Sequence, residues 1–120
     1  MTNSTDGRKE SPLACDMSAI ESNQREQHIA TAHQLFRVLI EIQELPDGYA
    51  FRLPNEPDIL LMAVQFISLE KLCCPFLGFT IEVEPEGGPV WLRLTGREGV
   101  KAFIREEVSG LLGNTINWAA

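Results

Sequence analysis

The segment Cys73-Cys74-Pro75-Phe76 constrains this chain more than any other, because an amphipathic helix has to end there. Proline has no N–H to continue a helical ladder, and its ring drives the preceding residue out of the right-handed helical region. Two adjacent thiols are therefore fixed at a helix end. Back from that stop, Ile59, Met62, Ala63, Phe66, Leu69 and Cys73 recur at helical spacing. They predict a helix from Pro57 or Asp58 to Cys73 or Cys74. Its apolar residues span a wide arc, so it is expected to be the most buried helix. Pro54-Asn55-Glu56-Pro57-Asp58 reads as the loop that opens it, with acidic residues suited to a helix N-terminus.

Upstream, Ile29, Ala32, Phe36, Leu39 and Ile40 share one stripe. They predict a first helix from about Ile20 until the turn-forming Leu45-Pro46-Asp47-Gly48 ends it. Tyr49-Ala50-Phe51-Arg52-Leu53 alternates and reads as a strand. Phe79 to Glu84 alternates with its glutamates outward, Pro85-Glu86-Gly87-Gly88 makes a hairpin loop, and Val90 to Leu94 alternates again. Thr95 to Gly99 turns into a last helix carrying Val100, Phe103, Ile104, Val108 and Leu111, and the tail from Gly113 adds the anchors Ile116 and Trp118.

The order helix, then β-α-β-β-α, implies an α+β fold: a small three-stranded mixed sheet with helices packed mainly on one face. The last two strands pair as a hairpin, and the first joins parallel to a neighbour through a right-handed crossover. Trp91 and Arg93 fall on the face opposite Val90, Leu92 and Leu94. Trp91 is then either a homodimer contact or covered by the first helix or the tail.

At 120 residues the chain is long enough for a single core without disulfide staples. The polar stretch 1–12 lacks hydrophobic periodicity and reads as a disordered leader before one domain at 13–120. A formal charge of −7 argues against nucleic acid and against anionic membrane surfaces. No apolar run approaches the roughly 20 residues that span a bilayer, and no signal-peptide layout opens the chain. The expected location is therefore cytoplasmic, with the three cysteines reduced.

Cysteine chemistry then offers itself in two forms. Cys73 and Cys74 point about 100° apart while helical, but unwinding at Cys74 lets both sulfurs approach one ligand. Glu70 stands three and four residues earlier, within one turn of both, and Cys15 lies just before the first helix. Three thiolates and a carboxylate suit Zn²⁺, Cu(I) or another soft ion. The alternative is that the thiols are small core hydrophobes and Glu70 a boundary residue pairing with Lys71 or Arg37. The usual zinc spacings are absent, and His28 and His33, five apart, make a poor metal pair. A helix C-terminus also raises a thiol's pKa, and no cation is evident to oppose it, so a nucleophilic thiol is disfavoured.

Taken together, Cys15, the turn Glu44-Leu45-Pro46-Asp47-Gly48-Tyr49, the run Glu70-x-x-Cys73-Cys74-Pro75-Phe76-Leu77 and Leu94-Thr95-Gly96 form a pattern. It resembles small bacterial proteins with an E-x-x-C-C-P-F motif. It is also similar to modules that follow the DNA-binding part of some mercury-resistance-regulator-type transcription factors. The resemblance implies a ligand- or metal-sensing module with Cys15, Glu70, Cys73 and Cys74 at matching positions. The 120 residues show no such DNA-binding part, so the expectation is that a regulatory role would need a separate partner.

The resulting expectation is a small binding protein whose clustered thiols take a soft metal, a metalloid or a thiol-reactive ligand. A non-catalytic dimerisation domain with structural cysteines is the alternative, and a thiol enzyme comes third.

Overall fold

In the computed structural model, residues 11–113 and Trp118 are described. Residues 1–10 of the expected leader, and Ile116, lie outside them. Helix α1 spans Ser22–Arg37, followed by strands β1 (Glu41–Leu45) and β2 (Gly48–Leu53), helix α2 (Pro57–Cys73), strands β3 (Gly78–Val83) and β4 (Val90–Thr95), and helix α3 (Val100–Leu112). The strands form one sheet in the order β1-β2-β4-β3, and every pairing is antiparallel. The fold is α+β, but the sheet has four strands rather than three and is not mixed.

Two corrections explain the difference. The first helix ends at Arg37, and the additional strand β1 occupies Glu41–Leu45. Pro46-Asp47 is therefore a two-residue hairpin loop, not a helix stop, with Leu45 paired to Gly48. The second correction concerns the crossover. Both β2 and β3 pair with β4, which lies between them, so the parallel neighbours expected on either side of α2 never touch. Helix α2 thus links two parallel strands across an inserted antiparallel one.

The turns have local causes. Glu86 and Gly87, at φ 60° and 73°, are the central residues of the β3–β4 loop, and Gly88 N–H donates to Pro85 O. Positive φ at both central positions is what a primed hairpin turn requires. Gly48 is needed for closeness instead: a Cβ there would stand 1.9 Å from Leu94 O on the neighbouring strand.

One face of the sheet carries the core. Tyr49, Phe51 and Leu53 of β2 and Val90, Leu92 and Leu94 of β4 are buried with Phe36 of α1, Phe66 of α2 and Ile104 of α3. Phe36 sets its ring edge-on to both Phe51 and Phe66, at 5.2 and 5.5 Å between centroids. Such pairing adds about 0.5–1.5 kcal/mol beyond the area buried. Trp118 caps this face from the tail, edge-on to Tyr49 at 4.9 Å with Arg105 over its ring.

On the other face, Trp91 is not an open contact surface: it is only 7% exposed, and its indole N–H donates to Glu84 Oε2 at 3.2 Å. Its neighbours across the strands are Arg52 and Glu82.

The helices distribute burial differently from their sequence pattern. The buried stripe of α1 is His28, Thr31, Ala32, Leu35 and Phe36, while Ile29 and Ile40 are exposed. Helix α2, expected to be the most buried, buries only Ala63, Phe66 and Cys73. It leaves Leu61, Val64 and Leu72 exposed, because it sits at the flank of the helical layer, packed chiefly on α1. Among the described residues, no helix is long and apolar enough to cross a membrane.

Candidate metal centre

The proline stop acts as the sequence implies. Helix α2 closes at Cys73, and Cys74 leaves it at φ −128°, ψ 68°, with its N–H still donating to Glu70 O at 2.8 Å. That departure swings the second sulfur toward the first. Cys73 Sγ and Cys74 Sγ lie 3.8 Å apart.

Cys15 is delivered by the segment before α1. Asp16 N–H donates to Cys73 O at 2.9 Å, which ties this segment directly to the end of α2. The Asp16 side chain accepts from Ser18 N–H and so caps the short 3-10 turn Met17–Ala19. The sulfurs of Cys15, Cys73 and Cys74 all fall within 4.8 Å of one another. The Met17 thioether stands 3.7 Å from Cys15 Sγ and adds a further soft atom beside the cluster.

Glu70 joins the group through both carboxylate oxygens. Oε1 lies 3.6 Å from Cys73 Sγ and Oε2 3.4 Å from Cys74 Sγ. Its ionic partner is neither Lys71 nor Arg37. Oε1 meets His28 Nε2 at 2.8 Å, with the imidazole 4% and the glutamate 14% exposed. His28 stacks on Phe66, and its Nδ1 is buried with no hydrogen-bond partner. The donor atoms of His28, Glu70 and Cys73 form a second set within 4.8 Å of one another. Because Cys73 belongs to both sets, five potential ligands surround one place in the fold.

His28 is the residue that sequence reasoning passes over. It faces Glu70 across the α1–α2 contact. Its signal was present: it stands four and eight residues before Ala32 and Phe36, on the buried side of α1. A polar residue on a buried stripe needs a partner there.

The electrostatics divide the thiols. The Cys73 thiol is lowered to about 6, chiefly by its hydrogen bond with Cys74 and, against the opposing effect of burial, by His28. Cys74 is pushed upward by that same hydrogen bond, then by burial and the charge of Glu70. Cys15 is raised to about 12 by burial and by its contact with Cys73. Burial alone would lower His28, but hydrogen bonds and charge from Cys73 and Glu70 overcome it and raise the imidazole to about 9. The shifts run in opposite directions: Cys73 is the thiol of the group whose ionised form is favoured, and His28 is favoured in its protonated form. The upward shift expected at a helix C-terminus is thus reversed for Cys73, first by its hydrogen bond with Cys74 and then by His28, which the sequence reading did not place beside it.

Access is one-sided. Cys73 and Cys74 are wholly buried, whereas Cys15 is half-buried. Cys15, His28 and Glu70 line a cavity of about 260 Å³ between α1 and α3. A ligand entering from this side meets Cys15 and Glu70 before the buried pair. Such a donor set can hold a thiophilic ion: thiolates favour soft and borderline metals, and imidazole and carboxylate complete the sphere of Zn²⁺.

Compared with known protein families, curated proteins and solved structures, the chain matches none. The functional reading therefore rests on the α+β frame and the thiol cluster it assembles.

Proposed function

We propose that this chain binds a soft metal or metalloid ion, with Cys73 and Cys74 as primary ligands, Cys15 as the third and Glu70 as a weak fourth or supporting group. One observation carries the reading. Bonds of about 2.3 Å to a tetrahedral ion set sulfurs about 3.8 Å apart, and the separation of Cys73 and Cys74 is 3.8 Å. The convergence of Cys15 from a segment remote in sequence supports it further.

The resemblance of the E-x-x-C-C-P-F run to modules of mercury-resistance-type regulators favours sensing over catalysis. The acidic balance of the chain argues for a partner protein, not DNA, as the receiver of any signal. A reducing compartment such as the cytoplasm keeps the thiols available.

The test is titration of the fully reduced protein with Zn²⁺, Cu(I) and Hg²⁺. One equivalent should bind, and Cys73→Ser or Cys74→Ser should lose that stoichiometry. No uptake of any of the three ions by the wild-type chain would end the reading.

A second reading, a homodimerisation module, is favoured by the exposed apolar side chains Leu61, Val64 and Leu72 on α2. It predicts a dimer by light scattering that Leu61→Glu dissociates. A monomeric wild-type chain would rule it out.

A further inference from the structure

A bare ion needs bonds of about 2.3 Å and no room beyond them. The cavity beside the thiols is far larger than that, at about 260 Å³, and its walls are Phe36, Phe66, Leu77, Phe103, Ile104 and Leu111. An apolar cavity of roughly 150 Å³ already admits a benzene ring. At its α3 side stand Glu106 and Glu107. Glu107 is exposed overall, yet its carboxyl sheds enough water to be held above the usual range, with repulsion from Glu70 and Glu106 adding to the shift. One thiol, Cys15, lines this space together with the hydrocarbon walls and the carboxyls at the rim, and its sulfur lies within 4.8 Å of those of the buried Cys73 and Cys74 behind it.

We infer that the ligand is an organometalloid: a thiophilic atom such as trivalent arsenic bearing one aryl or alkyl group, with the metalloid on the thiols and the organic group in the apolar cavity. This inference rests on the thiol-binding reading above and narrows its ligand class. The chemistry balances without any redox partner. An aryl arsenic(III) oxide meets two cysteine thiols, two As–S bonds form, and the oxide oxygen leaves with both thiol protons as one water. Arsenic stays trivalent, the As–C bond is kept, and the third thiol remains free. Inorganic arsenite has no organic group and takes all three thiols with loss of three waters. The cavity therefore distinguishes the two ligands where the sulfurs do not.

Two substitutions crowd the cavity without touching a sulfur. Gly110 is an exposed part of its lining, and a Cβ built there meets nothing within 4 Å, so Gly110→Leu adds bulk at the cavity mouth without a clash at Cβ. Ala32→Leu fills it from α1. The reduced full chain and both variants are titrated with phenylarsine oxide and with sodium arsenite, and binding is followed by calorimetry and by loss of free thiol.

Phenylarsine oxide should bind Gly110→Leu at least about tenfold more weakly, the equivalent of one lost ring burial. Arsenite should change by less than about threefold, since its ligands are untouched. Ala32→Leu should repeat the pattern, and circular dichroism confirms that each variant is folded. If arsenite binds the wild type through its cysteines but the folded variants bind phenylarsine oxide unchanged, or lose both ligands equally, this inference is overturned and the thiol reading stands. If neither compound consumes thiols in the wild type, this inference is overturned, and the thiol reading falls with it only if Zn²⁺, Cu(I) and Hg²⁺ are also refused.

Discussion

On the outer face of the sheet, Arg52 and Arg93 meet Glu41 and Glu82 across neighbouring strands at 3.7 and 2.8 Å, with every partner about a third to a half exposed. On the helical side, Glu70, His28 and Cys73 meet with almost no water around them. Pairs of the first kind typically contribute 0–1 kcal/mol and are explained by solubility and strand pairing. Groups of the second kind cost solvation that a hydrocarbon core of equal volume would avoid. Burial without necessity is the reason to assign a function to the helical cluster and none to the outer ladder.

The comparison can be broken most severely at the sulfurs. The double variant Cys73→Ser/Cys74→Ser should weaken Hg²⁺ or Zn²⁺ binding by at least about 100-fold, since even supporting groups around a metal are worth about 10–100-fold. Competition against a chromophoric chelator measures it, and an unchanged affinity would put the buried cluster on the same footing as the surface ladder.

A smaller effect is expected at the carboxylate. Glu70→Gln keeps contacts to His28 and the thiols but removes the charge. Metal affinity should fall by about tenfold, and the urea midpoint of the metal-free protein should fall as well, because the buried His28 loses its counter-charge. A clear loss of stability with unchanged metal affinity would make Glu70 a structural residue.

The third prediction concerns pH. Cys73 has a folded value of about 6, below its model-compound value of 9.0, so its contribution is full above that value and lost as pH falls through about 6. His28 is raised from 6.5 to about 9, so its contribution is full at low pH and lost as pH rises through about 9. Between these limits the two slopes oppose each other. Stability of the reduced, metal-free chain should therefore be nearly flat from about pH 6.5 to 9, and this pair should add no further slope below about 6, where both groups are protonated in the folded and the unfolded chain alike. Thiolate absorbance near 240 nm should rise through about pH 6 and vanish from that range in Cys73→Ser.

The least effect belongs to the outer face. Arg93→Gln should change stability by no more than about 1 kcal/mol in urea denaturation and leave metal binding unchanged.

What the amino-acid order disclosed was mostly local. The stop at Pro75, the start of α2 at Pro57, the β3–β4 turn and the span of α3 all follow from residues a few positions apart. Strand β1 escaped because Leu39 and Ile40 continue the helical stripe of α1 past its true end, and only pairing with β2 makes Glu41–Leu45 extended. The insertion of β4 between β2 and β3 is a non-local choice that alternation does not encode. In the site, the proximity of Glu70, Cys73 and Cys74 is a matter of one helical turn. The arrival of His28 depends on how α1 packs against α2, and that of Cys15 on a backbone hydrogen bond between residues 16 and 73.

That last bond ties the start of the domain to its middle, setting residues 57 positions apart side by side. An ion shared by Cys15 and Cys74 would close a loop of about sixty residues and act as a removable cross-link. By the loop-entropy relation for covalent bridges, such a staple withholds about 4 kcal/mol of freedom from the unfolded chain. Loading and chelation would then toggle the molecule between a clamped and an unclamped form, with thermal resistance itself as the readout.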